Sequence, residues 1–362
     1  MADTKVPETE AKPRIGIISM GDMGSGLARL IVAHGYHVVT NCTGRSEDTI
    51  SRARAAGVEN LPTDNDLITN CDLILSIVPP KDALQTAERI LSAISSPDNH
   101  RPSGKKPLYF ADMNAVSPAT VRSIASLFSP FPDSTIRFID GSILGGPPSP
   151  PQEGQGQKWT TPLLPTSGPF SLSHLDPTNA LPRILSNKHI SDSIGQASAL
   201  KMCFASLSKG YTAIAVQTVT TAYRLGVLDH LKDSLRQLSP ANLERMERAV
   251  VGMAPKAYRW VREMEEISET HAQDGGFLTT SAAQGEIEGI FDGAAGIFRF
   301  VAEGTVLGEE KVPTAGTDSG SASNKRVRET TTEDVARCMA EGLEARENKK
   351  RKETHKEQVV EE

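Results

Sequence analysis

The chain has 362 residues, 38% of them hydrophobic and 23% charged, with a formal net charge of −6. That length exceeds what a single core usually grows to, so two domains are expected, and the mild acidity excludes an electrostatic case for a nucleic-acid partner of the folded part. Aromatic residues reach only 5%, against a stacking platform for bases or sugars, and no apolar run approaches the roughly 20 residues of a membrane span.

Residues 1–13 are polar and charged, a short disordered lead-in rather than a secretory signal. From residue 14 to 144, short apolar runs alternate with amphipathic stretches, the pattern of βαβ units on a parallel sheet. The runs predict strands over 14–19, 37–41, 73–78, 108–112 and 136–143, with helices over 23–34, 46–56, 81–94 and 118–127 between them. Most strand runs are apolar throughout, as suits strands buried on both faces. Residues 147–190 turn rich in Pro, Ser, Gly and Gln, with an exposed Pro-rich loop at about 147–158 and one further strand at 159–165. This first domain is expected to span 14–190. No proline interrupts 190–231, where Leu200, Phe204, Leu207, Tyr211 and Ile214 recur at helical spacing, so a long central helix is expected there. Helices over 238–253, 255–270 and 285–303 complete an all-helical domain, 191–311. Residues 334–346 can form a thin amphipathic helix, but 312–362 as a whole reads as a flexible charged tail. The expected fold is thus α/β, a Rossmann-type doubly wound parallel sheet, followed by an all-α domain.

Chemistry first shows itself after the first strand, at Ser19-Met20-Gly21-Asp22-Met23-Gly24, a near match to GxGxxG with serine in the first glycine position. Without a side chain at Gly21 the backbone can approach a pyrophosphate, Gly24 lets helix and strand pack closely, and the helix N-terminus offers free N–H groups to the anion. Its position at the head of several βαβ units is the context such a motif requires. An NAD-preferring fold ends its second strand in a carboxylate that holds the ribose 2′-hydroxyl. Here the strand ends Val39-Thr40-Asn41-Cys42-Thr43-Gly44-Arg45-Ser46, with no carboxylate before Glu47. Arg45 and the Ser46 hydroxyl suit a 2′-phosphate, so NADP is expected over NAD.

Several ordered motifs resemble the β-hydroxyacid dehydrogenase superfamily, which includes 6-phosphogluconate and 3-hydroxyisobutyrate dehydrogenases. They are Gly16–Gly24, Leu75-Ser-Ile-Val-Pro-Pro80, Asp112-Met-Asn-Ala-Val-Ser-Pro118, Asp140-Gly-Ser-Ile-Leu-Gly-Gly146, Gly195-Gln-Ala-Ser-Ala-Leu-Lys201, Lys209-Gly210 and Tyr258-Arg-Trp-Val-Arg-Glu-Met-Glu-Glu-Ile267. The resemblance runs from residue 14 to about 303 and extends to a phosphogluconate dehydrogenase-type C-terminal domain. It implies that Val78 and Pro79 lie beside the nicotinamide ribose and Asn114 near the nicotinamide. The strand end carrying Ser142, Gly145 and Gly146 would bind substrate, and Lys201 would serve as general acid/base. A lysine desolvated in a cleft beside the positive nicotinamide can accept the hydroxyl proton as hydride leaves the carbon. A small-molecule substrate, a homodimer and a cytoplasmic location, with four unclustered cysteines as reduced thiols and no metal, complete the expectation.

The chain departs from that pattern where chemistry is expected. Leu144 replaces the substrate serine before the paired glycines, Ala205 replaces an asparagine one turn after Lys201, and Ala115 replaces a threonine in the nicotinamide loop. Ser142, Asn114 and Lys209 are candidates to take over polar contacts; alternatively the chain keeps the nucleotide fold as a scaffold or sensor, or reduces bulkier substrates. The charged residues within 258–267 read either as cleft contacts or as a salt-bridged helix face. Lys349-Lys350-Arg351-Lys352, with Lys325-Arg326-Val327-Arg328 upstream, also resembles a nuclear-import patch.

Overall fold

The computed structural model describes residues 12–102, 104–151, 158–277, 289–310 and 330–361, and the chain divides into two compact units after Lys201. The first unit holds β1 (Ile15–Ile18), α1 (Asp22–Ala33), β2 (Val38–Thr40), α2 (Glu47–Ala55), β3 (Glu59–Asn60), α3 (Asp64–Asn70), β4 (Leu73–Ser76), α4 (Ala83–Ser95), β5 (Leu108–Asp112), α5 (Pro118–Ser126) and β6 (Ile136–Gly141). It continues with β7 (Leu164–Ser167), α6 (Leu172–Leu175), α7 (Ala180–Ile184) and β8 (Asn187–Ser191), and ends within α8 (Gln196–Ala205).

One sheet orders these strands β3-β2-β1-β4-β5-β6-β7-β8. The first six are parallel, and β7 turns antiparallel to β6. The period of two in each strand sorts its apolar residues to two cores. Ile15, Ile17, Leu73, Leu75 and Ala111 pack with Leu27 and Ile31 of α1 on one face. Ile18, Ile74 and Phe110 pack on the other with Leu67 of α3, Ile90 of α4 and Ile124 of α5. A parallel sheet sandwiched this way lines up its strand carboxyl ends along one edge, where such folds place ligands.

Three differences from the expected elements have physical causes. The strand expected over 159–165 lies at Leu164–Ser167, and 160 and 163 contribute only isolated bridges, because Pro162 has no N–H to give a ladder. Ile190 belongs to β8, not to a helix, and the long helix expected over 190–231 is segmented. A π-helical turn, Ser206–Gly210, separates α8 from α9 (Tyr211–Arg224), and Gly226 at φ +69° ends α9 before α10 (Leu228–Leu238).

In the second unit α9 packs against α11 (Pro240–Met253), and α12 (Ala257–Gln273) against α13 (Phe291–Gly304). The start expected for the last of these, residue 285, lies outside the described residues, as do 1–11 of the lead-in, 152–157 of the Pro-rich loop and the basic run 325–328. The flexible tail is corrected over its second half: α14 (Thr332–Glu361) is a helix packed on α9. Val335, Ala336, Met339 and Ala340 make a stripe at helical spacing, all buried, while Lys349–Lys352 lie exposed beyond it. The stripe falls within 334–346, the expected amphipathic helix, and the helix runs on through charged residues to Glu361. No described helix is long and apolar enough to cross a membrane.

Candidate active site

At the carboxyl edge, β1 leads into Ser19, whose φ of +84° places a serine in the left-handed region that the expected glycine would occupy freely. The turn that follows closes so tightly that a Cβ at Gly24 would sit 2.0 Å from the Ser19 carbonyl oxygen. At Gly21, by contrast, the nearest atom to a built Cβ is the Ser19 hydroxyl at 3.9 Å, which leaves the backbone open to approach. Gly21 caps α1 without any side-chain hydrogen bond, so no capping group competes for the first amides of α1, from Asp22, Met23 and Gly24. Asp22 is exposed, whereas the Met20 side chain is 1% exposed and belongs to the core, so Met20 offers the site its backbone alone.

Beside this turn lies a cavity of about 400 Å³, lined among others by Ser19, Gly21, Asn41, Arg45, Thr49, Arg52, Asp64 and Arg89. Arg45 is exposed, and its side chain makes no hydrogen bond or ion pair among the described residues. Ser46 is the N-cap of α2, and its hydroxyl lies 3.1 Å from that of Thr49. Asp64 is the one carboxylate of the lining, and its charge is spent on Arg89, with Nε at 2.7 Å and Nη2 at 3.1 Å. An open glycine turn next to a pocket whose lining carries guanidinium groups is a surface that could hold an anionic group. Thr49, Arg52 and the Asp64–Arg89 pair escaped the sequence reading, since nothing in their spacing shows that α2, α3 and α4 bring them to one wall.

The ends of β4 and β5 are tied together. The Val78 amide donates to Asn114 Oδ1 at 2.7 Å, and Asn114 Nδ2 donates to Asp112 Oδ2 at 2.9 Å and Ser76 Oγ at 3.1 Å. Asn114 is only 2% exposed, and its amide acts as a strut between the two strand ends. Val78 is buried and Pro79 exposed. Burial pushes the Asp112 carboxyl up to about 7, against the hydrogen bonds from Asn114 and with help from the charge of Asp140 on the neighbouring strand.

Ser142 is engaged internally as well: it is fully buried, and its hydroxyl donates to the Ala197 carbonyl at 2.9 Å. Gly145, at φ +126°, and Gly146 are exposed after it. The start of α8 is clamped by Asp140, which accepts from Gly195 N at 2.8 Å, Ala197 N at 3.2 Å, Ser198 Oγ at 2.7 Å and Ser167 Oγ at 2.7 Å. From that anchored turn the half-buried Lys201 reaches back, and its Nζ donates to the Ile143 carbonyl at 2.6 Å. Lys201 therefore stands at the carboxyl end of β6, immediately before the paired glycines, on the edge that carries the phosphate turn.

Lys209 lies elsewhere, in the π-helical turn of the helical unit. Its ammonium pairs with Glu263 and lies 5.6 Å from the centre of the Trp260 ring, so a free anion-binding role is not what its surroundings provide. The charged residues of α12 form the salt-bridged face foreseen as one alternative: Arg262 bonds Glu266 at 2.5 Å and Glu265 at 3.3 Å, and Glu265 bonds Arg299 at 2.7 Å.

Two family models match the chain, one described as NADP oxidoreductase, coenzyme F420-dependent, over residues 14–98, the other as a domain of unknown function (DUF1932) over 222–301. A solved structure of a conserved protein of unknown function, reported as structurally similar to 3-hydroxyacid dehydrogenases, is 25% identical, covers 80% of this chain and 96% of its own, and superposes with a TM-score of 0.53. The 3-hydroxyisobutyrate dehydrogenase of Salmonella typhimurium shares the fold at a TM-score of 0.56 with 17% identity, covering 80% of this chain and 93% of that one. The chain is thus similar in fold to 3-hydroxyacid dehydrogenase-like proteins. A further relative is an uncharacterised 28.5 kDa protein of Methanothermus fervidus, 24% identical over 71% of this chain and 90% of that one. Over residues 14–98 the chain is similar to NADP oxidoreductases.

Proposed function

We propose that the chain is an NADP-dependent oxidoreductase that moves hydride between the nicotinamide and a small hydroxy acid or related carbonyl, with Lys201 as general acid/base. The observation that carries this reading is the placement of Lys201 Nζ on the Ile143 carbonyl, beside Gly145 and Gly146, on the edge headed by the phosphate turn. The bound nicotinamide supplies the hydride acceptor or donor. Neutral Lys201 takes the hydroxyl proton in the oxidative direction, and its ammonium returns a proton to the oxygen in reverse. The Ile143 carbonyl fixes the lysine rotamer, so little reorganisation is needed at proton transfer. Gly21 and the α1 amides hold the pyrophosphate, Arg45 with Ser46 holds the 2′-phosphate, and Val78 with Pro79 borders the nicotinamide ribose. The exposed apolar residues Leu207, Ile214 and Leu225 of the helical unit support a homodimer.

A second reading has its own support. Asn114, Ser142 and Lys209 are all committed to internal bonds, so none replaces the polar groups lost at Ala115, Leu144 and Ala205. That favours a catalytically lapsed NADP-binding scaffold or sensor. Titration with NADPH and NADH, followed by nicotinamide fluorescence, tests the common part: NADPH binds more tightly, and Arg45→Ala weakens NADPH roughly tenfold while sparing NADH. A substrate screen separates the two readings. Turnover that Lys201→Ala abolishes without loss of NADPH affinity supports the enzyme, and absence of turnover with every hydroxy acid and carbonyl tried leaves the scaffold.

A further inference from the structure

Arg52 sits on the inner wall of the cavity, one turn and a half into α2, and nothing in the glycine motif or the end of β2 points to it. Its Nε donates to the Met20 carbonyl at 2.8 Å and its Nη2 to Thr49 Oγ1 at 3.1 Å. Thr49 in turn lies 3.1 Å from the Ser46 hydroxyl, so one face of α2 carries a chain Ser46–Thr49–Arg52 that ends on the backbone of the phosphate turn. Met20 is the residue between strained Ser19, at φ +84°, and Gly21. A guanidinium has five N–H donors in a fixed fork, and those not used here have no partner among the described residues. The fork is half-buried, which strengthens a charge-assisted bond relative to one made in open solvent.

We infer that Arg52 is a second selector for the 2′-phosphate and at the same time the positioning residue that fixes the Ser19–Gly21 turn. This rests on the proposed NADP binding and adds to it. Arg45 meets the phosphate from the exposed side and Arg52 from the inner wall, so two forks share a doubly charged group that one exposed arginine would hold weakly. Because Asp64 is neutralised by Arg89, the two guanidinium charges stand uncompensated in the lining. A bond from the same guanidinium to Met20 couples the phosphate turn to the selector, so each end of the ligand finds the other end's site in place.

The test uses the full-length chain and four probes, 2′,5′-ADP, 5′-ADP, NADPH and NADH, with calorimetric affinities for wild type, Arg52→Met and Arg52→Lys. Arg52→Met is expected to weaken 2′,5′-ADP and NADPH roughly tenfold or more, and 5′-ADP and NADH by a few-fold only, through the loosened turn. Arg52→Lys keeps the charge and loses the fork, so part of the preference for 2′,5′-ADP returns while the few-fold loss common to all probes remains. Equal weakening of all four probes by Arg52→Met reduces Arg52 to a turn support and overturns the selector role, and unchanged affinities overturn both roles. If Arg52→Met fails to fold, Arg52→Lys decides: a ratio of 2′,5′-ADP to 5′-ADP affinity equal to wild type overturns the inference. Wild type that binds no probe, or binds 5′-ADP as well as 2′,5′-ADP, brings down the NADP reading itself, an outcome distinct from a failure of Arg52.

Discussion

Ser19 is the residue at which local cost and site geometry meet. An L-residue in the left-handed region costs roughly 1–2 kcal/mol, while glycine there gives back about 0.5–1 kcal/mol of that gain through the greater freedom of its unfolded chain. Steric relief outweighs that loss, so Ser19→Gly is expected to stabilise the sheet unit by about 0.5–1 kcal/mol in urea denaturation. A loss of stability would show that the Ser19 hydroxyl does something the turn needs. The residue scale is also where sequence reading reaches least far. Serine at position 19 was visible as a departure from the motif, but its positive φ was not. Asn114 and Ser142 have the right chemistry for substrate contact, and only the folded chain shows that the Asn114 amide bonds Val78, Asp112 and Ser76 and that the Ser142 hydroxyl donates to Ala197. A residue's type is legible in sequence; the destination of its hydrogen bonds is not.

At the scale of elements, the link that matters runs from β6 to α8. Asp140 accepts from backbone amides and from two hydroxyls on separate segments, and this cluster holds the first turn of α8 at the end of β6. Lys201, on the second turn of α8, inherits its position from that anchor. Asp140→Ala strips these donors of their shared acceptor in a dry site and is expected to cost roughly 3–5 kcal/mol. Asp140→Asn keeps one acceptor oxygen and should cost less. Chemical denaturation of the two variants orders them, and equal losses would mean that the carboxylate acts by filling space rather than by accepting bonds. The parallel strands and their helices were legible because their apolar runs and glycine turn agree at every level. The expected helix over 190–231 was not resolved into its parts, because a π-helical turn at Ser206–Gly210 keeps nearly the same apolar spacing, and Gly226 alone gives weak notice of a break. Over 334–346 the thin amphipathic helix was legible; its docking on α9 and its extension to Glu361 were not, because its few apolar residues are outnumbered by charge.

For the molecule as a whole, the two units carry carboxyls shifted in opposite directions, and stability should respond to pH from both ends. In the sheet unit Asp112 is fully buried and pushed from 3.8 up to about 7, with Asp140 facing it in register across β5 and β6. A carboxyl whose folded value lies above its unfolded value binds a proton more tightly in the native state. Its contribution is therefore complete below about pH 4 and is lost as the pH rises through about 7. At 1.36 kcal/mol per unit that contribution amounts to about 4 kcal/mol. In the helical unit Glu333 is held below its usual value of 4.5 chiefly by its hydrogen bond to Lys232, so its contribution is present above about pH 4.5 and is lost in acid. Urea denaturation between pH 4 and 8, read by a probe confined to the sheet unit such as Trp159, should thus show that unit losing stability as pH rises. Asp112→Asn keeps the shape, removes the titration and should flatten that slope. A slope unchanged by Asp112→Asn would mean that Asp112 keeps an ordinary carboxylate value, with the bonds from Asn114 outweighing its burial.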